Sequence, residues 1–411
     1  MIFRFCLYGF LKNQRYFEPF LLLVFLDRGL SFTVIGMLIG FRDACVFAME
    51  LPTGAIADVL GRRKAMIVSF LGYIASFLVF AASASVPLLF AAMFLFALGD
   101  AFRTGTHKAI IFDWLAHEGR TDEKTKIYGL TRSWSKLGSA ASVVIAAGIM
   151  FVTDNYAWVF YLCVVPYMLN IINFMFYPAA LDGPRRENAS LSIMVRTLTS
   201  ALKTTIRSMR LRRLLAESVG YELPFKISKD YLQAVIQTAA LAIPVLISLD
   251  DHQRVALMIG GVYFCLHLVS SFASRNAGRL SSRAGNDDRA ATTLWLLNTA
   301  TYGLLAAGIF TGWDAVTISA FVVLAGLQNL WRPIQVSRYS EDAPADSMAT
   351  MLSVESETRS LFVAGVAPLL GWTVDVVRSQ DASLQFMPVA ILGLAVSLIL
   401  LITNRRKGER T

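Results

Sequence analysis

Acids and bases set inside long apolar runs are the residues of this chain with chemistry to offer. Lys12, Arg15 and Glu18 lie in the run 6–28, and Arg42, Asp43 and Glu50 in 33–57. Asp100, Arg103, His107 and Lys108 lie in 87–115, with Asp113 at its end; Glu222, Lys226, Lys229, Asp230, Gln233 and Gln237 lie in 216–248. A charge in lipid is costly, so such groups face a wet cavity or one another. Spacing aligns several of them. Asp43 and Glu50, seven apart, share a helical face. Asp100, Arg103, Thr104 and His107 follow the i, i+3, i+4, i+7 pattern of a single stripe. Glu222, Lys226, Lys229, Gln233 and Gln237 form another, with Asp230 beside it and Pro224 able to kink the helix. A carboxyl group in a partly dehydrated cavity can take a proton on one side and release it on the other as its surroundings change. Glu50, Asp43 and Asp100, in that order, are the candidates. Arg42, Arg103, Lys226 and Lys229 can instead attract an anionic substrate. The competing reading for any one residue is an internal pair that only packs the bundle, a task for which membrane helices more often use small residues such as Gly36 and Gly40.

The elements that hold these groups are membrane helices. Hydrophobic residues make up 55% of 411 positions and charged residues 16%, with a mean hydropathy of +0.55; a soluble domain carries about a quarter charged residues. A spanning helix takes about 20 apolar residues. Runs of that length are 6–28, 33–57, 65–84, 87–115, 131–152, 157–178, 216–248, 254–274, 289–311, 314–335, 349–373 and 383–403. The expected fold is therefore an all-α polytopic membrane protein of about twelve transmembrane helices: an N-terminal six-helix bundle over 1–178, a linker over 179–215, and a C-terminal six-helix bundle over 216–411. In the linker, Leu191, Met194, Leu198, Leu202, Ile206 and Met209 recur at helical spacing, which predicts an amphipathic helix lying on the inner leaflet or a solvated bridge.

Charge placement sets the orientation. The net charge is +9, but most Lys and Arg residues gather in alternate segments: Arg62, Arg63 and Lys64; Arg120, Lys124 and Lys126; the linker; and Arg405, Arg406, Lys407 and Arg410. The opposite loops hold Arg378. Under the positive-inside rule both termini are cytoplasmic, and the location is the cell (inner) membrane. This pattern speaks against nucleic-acid binding. Cys6, Cys45, Cys163 and Cys265 are scattered and read as small buried hydrophobes. The four histidines are dispersed, and no metal-ligand spacing, nucleophile–base pair or GxxxxGK[ST] loop occurs, so neither an enzyme nor a cofactor or metal is expected. Interrupted by Lys12-Asn13-Gln14-Arg15 and lacking a small-residue cleavage site, the N-terminal run does not read as a removable signal peptide.

Gly54-Ala55-Ile56-Ala57-Asp58-Val59-Leu60-Gly61-Arg62-Arg63-Lys64 joins the second and third runs in a tight basic turn. It resembles the loop signature between helices two and three of the major facilitator superfamily of secondary transporters. A second copy, 224 positions on, keeps the glycines as Gly278 and Gly285 but has Ser282 in place of the acid. Gly99-Asp100-Ala101-Phe102-Arg103-Thr104-Gly105-Thr106, Arg332-Pro333 and Ala349-Thr350-Met351-Leu352-Ser353 are similar to helix four and the approach to helix eleven of a bacterial efflux-like branch. Two features depart from it: only Arg103 approximates the arginine expected earlier on helix four, and helix five has Gly138 and Gly148 without a Gly-Pro pair.

The resemblance implies two six-helix halves that rock about a substrate site. It also implies an inner gate of Gly54, Asp58, Gly61, Arg62, Arg63 and Asp113, in which Asp58 caps a helix of the opposite half and Arg62 contacts Asp113. The expected function is secondary active transport of a small molecule by alternating access, proton-coupled, with export ahead of uptake, by a monomer in contact with membrane lipid. A transporter-like receptor or assembly factor that moves nothing is the alternative of another class; it would be expected to lose the gate charges, which are present here.

Overall fold

A computed structural model describes residues 1–182, 196, 199, 203, 207–242, 248–342 and 348–408, and among them only helices, turns and short irregular links occur. The amphipathic face at 191–206 lies outside the described residues. Nine of the described helices are long and apolar enough to cross a membrane, with shorter apolar helices at Ile2–Leu11 and Met387–Ile402. The chain is thus an all-α polytopic membrane protein, and its helices are consistent with twelve spans in two bundles.

In chain order the helices are α1 (Ile2–Leu11), α2 (Leu21–Asp27), α3 (Phe32–Leu60), α4 (Arg62–Ala82), α5 (Val86–Arg103), α6 (Thr106–His117), α7 (Lys124–Thr153) and α8 (Ala157–Met175). They continue as α9 (Met209–Ser228), α10 (Leu232–Ala242), α11 (Asp251–Ala284), α12 (Asp287–Thr311), α13 (Asp314–Asp342), α14 (Met348–Gln380) and α15 (Met387–Gly408). Three runs read as continuous spans are broken. The first divides between α1 and α2, where Asn13 donates to the Gly9 carbonyl at 2.6 Å and Gln14 reaches across to the Gly138 carbonyl of α7 at 3.0 Å. The fourth divides at Thr104, which is extended, and Gly105, whose φ of +76° suits a residue without Cβ. The seventh passes through a short 3-10 turn at Lys229–Tyr231, just after Pro224 withholds a backbone donor.

Two compact units result: Met1–Leu21 with Phe41–Arg196, and Leu22–Gly40 with Thr197–Thr411. In the first unit, α4 lies against α5 and α8. Ser69 and Ser76 of α4 donate to the Gly99 and Ala92 carbonyls at 2.6 and 2.8 Å. Phe70, Tyr73 and Phe77 meet Tyr167 edge to face, and Phe174 lies tilted against Phe70. In the second unit, Tyr221 stacks on Trp331 at 4.1 Å and meets the edge of Trp295. Gln328 and Gln335 of α13 pin α9 by its carbonyls at Tyr221 and Leu214, both at 2.9 Å. The first turns of α3 also belong to this unit, where Gly36 and Gly40 lie on the backbone of α14: a Cβ at Gly36 would come within 2.4 Å of the Ala367 carbonyl oxygen.

Candidate functional site

The first unit carries a charged centre around Asp100, near the end of α5. Its carboxylate accepts hydrogen bonds from Arg103 at 2.8 Å and from the Tyr73 hydroxyl, with Arg15 at 3.7 Å. Arg103 also donates to Tyr73 at 2.9 Å, and Arg15 to the Tyr167 hydroxyl at 3.2 Å. Tyr167 in turn donates to the Lys12 carbonyl at 3.0 Å, so the break in the first span is tied into the same network. Three side chains thus converge on one carboxylate, which fixes its position; moving it requires breaking charge-assisted bonds.

The stripe expected through Asp100, Arg103, Thr104 and His107 does not run unbroken, because the helix stops at Thr104–Gly105. His107 starts a new helix, 8% exposed, stacked on Tyr8 at 3.7 Å with Phe5 and Phe174 at its edges. Its buried Nε2 has no hydrogen-bond partner among the described residues. Beside this break a cavity of about 360 Å³ opens, lined by Lys12, Arg103, Lys108, Arg132 and Lys136 and by hydroxyls of α7, with no acid in its wall. Sequence reading passed over Arg132 and Lys136. They lie four apart on one face of α7, at the edge of a run read as starting at 131, and that spacing was the available signal.

On α3, Arg42 and the buried Asp43 pair at 2.8 Å, so Arg42 is not a free cation for a substrate. Glu50, seven residues on, is half-buried and forms no ion pair among the described residues. Glu18 is exposed at the head of the 3-10 turn Glu18–Phe20.

The inner turn is compact. Gly61 alone separates α3 from α4, with φ +93°. Arg62 forms an ion pair with Asp113 of α6. Arg63 donates through its backbone N–H to Asp182 at 3.1 Å and through its guanidinium to the Tyr177 carbonyl at 3.0 Å. Asp182 therefore caps α4, and a Cβ on Gly61 would crowd it at 2.9 Å. Gly54 lies within α3; the side chain of Asp58 lies outside the described residues.

In the second unit the charges form a ladder. Glu222 pairs with Arg332 of α13 at 3.2 Å and with Arg359 of α14. Glu355, almost wholly buried, takes Arg332 and the Ser218 hydroxyl. Arg338 joins Glu217 and Asp288, each at 2.7 Å. From sequence Glu222 is a candidate and Arg332 part of a motif, but the pairings are not legible there, because the partners come from helices far apart in the chain. Lys229 and Asp230 approach at 3.9 Å, and Gln233 accepts from the Leu22 N–H at 2.8 Å, a positioning bond to the segment Leu22–Gly40. Lys226 and Gln237 are half-buried.

Charged and hydrogen-bonded centres inside apolar helices, broken spans and a glycine-hinged basic turn define a helical membrane transport protein. Residues 5–368 match the model of the Major Facilitator Superfamily, and the chain belongs to that family. Among solved structures it is similar to the nucleoside transporter NupG, with a TM-score of 0.74 at 12% identity over 98% of this chain and 95% of that one. It is equally similar to a POT family transporter in complex with 5-aminolevulinic acid, at 0.73 and 14% over 98% and 96%. A bacterial homologue of the human lysosomal transporter Spinster, in an inward-facing and unoccupied conformation, matches at 0.73 and 14%, also over 98% and 96%. At these identities the likeness is one of fold. No curated protein matches the chain by sequence.

Proposed function

We propose that this protein is a proton-coupled secondary transporter of the cell (inner) membrane, its termini cytoplasmic, exporting a small molecule by alternating access as a monomer and without a cofactor. One contrast carries the coupling: Asp43 and Asp100 are held by guanidinium groups, whereas Glu50 lies on the same helix as Asp43, half-buried and with no ion pair among the described residues. A carboxyl group so placed is open to exchange a proton, and the paired acids respond when their partners move. Arg62 with Asp113, and Arg63 with Asp182, supply the inner gate, whose bonds bias the access equilibrium. The basic residues at the inner turn support the orientation.

Reconstitution tests this reading. Proteoliposomes with an imposed pH gradient should show counterflow of a compound that stabilises the purified protein, and Glu50→Gln should abolish the response to the gradient while leaving exchange. Full transport after the gradient is collapsed would remove the proton from the mechanism.

A further inference from the structure

The cavity beside the Thr104–Gly105 break is lined by five cationic side chains and no acid. Of its cations, Lys12, Lys108, Arg132 and Lys136 form no ion pair among the described residues. Arg132 and Lys136 are four apart on α7, a spacing at which like charges repel, and no acid in the wall relieves them. Gly105, His107 and Lys108 bring the start of α6 to the same wall, and no side chain caps that helix. The first backbone N–H groups of a helix have no acceptor within it and carry partial positive charge. His107 lines the same wall, its Nε2 buried and without a hydrogen-bond partner among the described residues. A volume of about 360 Å³ is at the small end of ligand pockets.

We propose that this cavity binds a phosphate monoester group, with the α6 N-terminus and Lys108 on one side of it and Arg132 and Lys136 on the other. The assignment rests on the transporter reading above and names its substrate class: a small organic phosphate rather than a lipophilic cation. Helix amides supply several short donors in fixed directions, and lysine and arginine supply the charge that compensates for the anion's lost hydration. Ser135 and Ser139, on the same face of α7, line the wall between them, their hydroxyls donating to the Thr131 and Ser135 carbonyls at 3.1 Å.

The test is binding to the full-length protein purified in dodecyl maltoside, read as a thermal shift with glycerol 3-phosphate, dioleoyl phosphatidic acid or choline. Glycerol 3-phosphate should stabilise the protein and choline should not. Each of Arg132→Gln and Lys136→Gln should weaken binding about tenfold, as expected for loss of one charge-assisted bond. Arg289→Gln, an exposed change in the second unit, should leave it unaltered. Stabilisation by phosphatidic acid alone would place the same chemistry on a lipid headgroup. No response to either phosphate, or wild-type affinity in both α7 variants, overturns the site. Counterflow of glycerol 3-phosphate in proteoliposomes separates the two levels: binding without flux sinks the transporter reading and keeps the site. Flux of another compound, indifferent to phosphate, sinks the site and keeps the transporter.

Discussion

Asp375 caps the start of α3 through Thr33: its carboxylate accepts from the Thr33 N–H at 2.7 Å and the Thr33 hydroxyl at 2.5 Å, and from the Phe32 N–H at 3.1 Å. Two orphan amides of a 29-residue helix are satisfied by a residue more than 340 positions away. Loss of such a cap costs about 1–2 kcal/mol. Asp375→Ala should lower the thermal midpoint of the purified protein, and Asp375→Asn, which still accepts, should lower it less. Equal midpoints for wild type and Asp375→Ala would remove the cap from the stability of the fold.

Gly36 and Gly371 permit backbone contact between α3 and α14: a Cβ would approach backbone carbonyl oxygens at 2.4 and 2.1 Å. Backbone cannot step aside as a side-chain tip can, so Gly36→Ala should destabilise by about 1–3 kcal/mol. Gly303, in the middle of α12, has open space where its Cβ would be. Gly303→Ala should be neutral or slightly stabilising, because alanine favours helix. Thermal unfolding of the two variants side by side checks the contrast.

Glu222 and Glu50 should respond differently to neutralisation. Glu222→Gln strands Arg359 and leaves Arg332 with Glu355 alone; a fully buried pair broken this way costs about 3–5 kcal/mol. Arg332 is 39% exposed, so water recovers part of that loss and about 1–3 kcal/mol is expected. Glu50→Gln breaks no described ion pair and should leave the midpoint within about 0.5 kcal/mol of wild type. Denaturation profiles measured in the same detergent decide between these outcomes.

Arg62 and Asp113 make a partly exposed pair, 21% and 41% accessible at their side chains. Such pairs contribute about 0–1 kcal/mol to stability, so their effect should show in transport. Arg62→Gln and Asp113→Asn should each slow counterflow without reducing the amount of folded protein, and the exchanged pair, Arg62→Asp with Asp113→Arg, should recover much of it. A fully active Arg62→Gln protein would leave the pair without a gating role.

The membrane fold was legible because hydropathy is a local property: runs of about 20 apolar residues fix spans wherever they occur. The basic turn at Gly61–Lys64 was legible for a similar reason, since glycine and charge at a helix end are local signals. The breaks were harder. Lys12-Asn13-Gln14-Arg15 stood out as polar, yet the bond from Gln14 to Gly138 that stabilises the break is a long-range fact. Thr104–Gly105 lay within a stripe of good helical spacing, and periodicity alone carried the reading through it. Partners were hardest of all. Nothing near Glu222 in the chain announces Arg332 or Arg359, and Asp375 stands two residues beyond the run assigned to its span. Pairing between distant helices is set by packing, which a single sequence does not display.

The glycine contacts between α3 and α14 have a mechanical consequence. A joint made of main chain against main chain has no rotamers to reshuffle and no compliant tips to compress, so it does not loosen by degrees. It behaves as a snap fastener does, seated along its whole length or released along it.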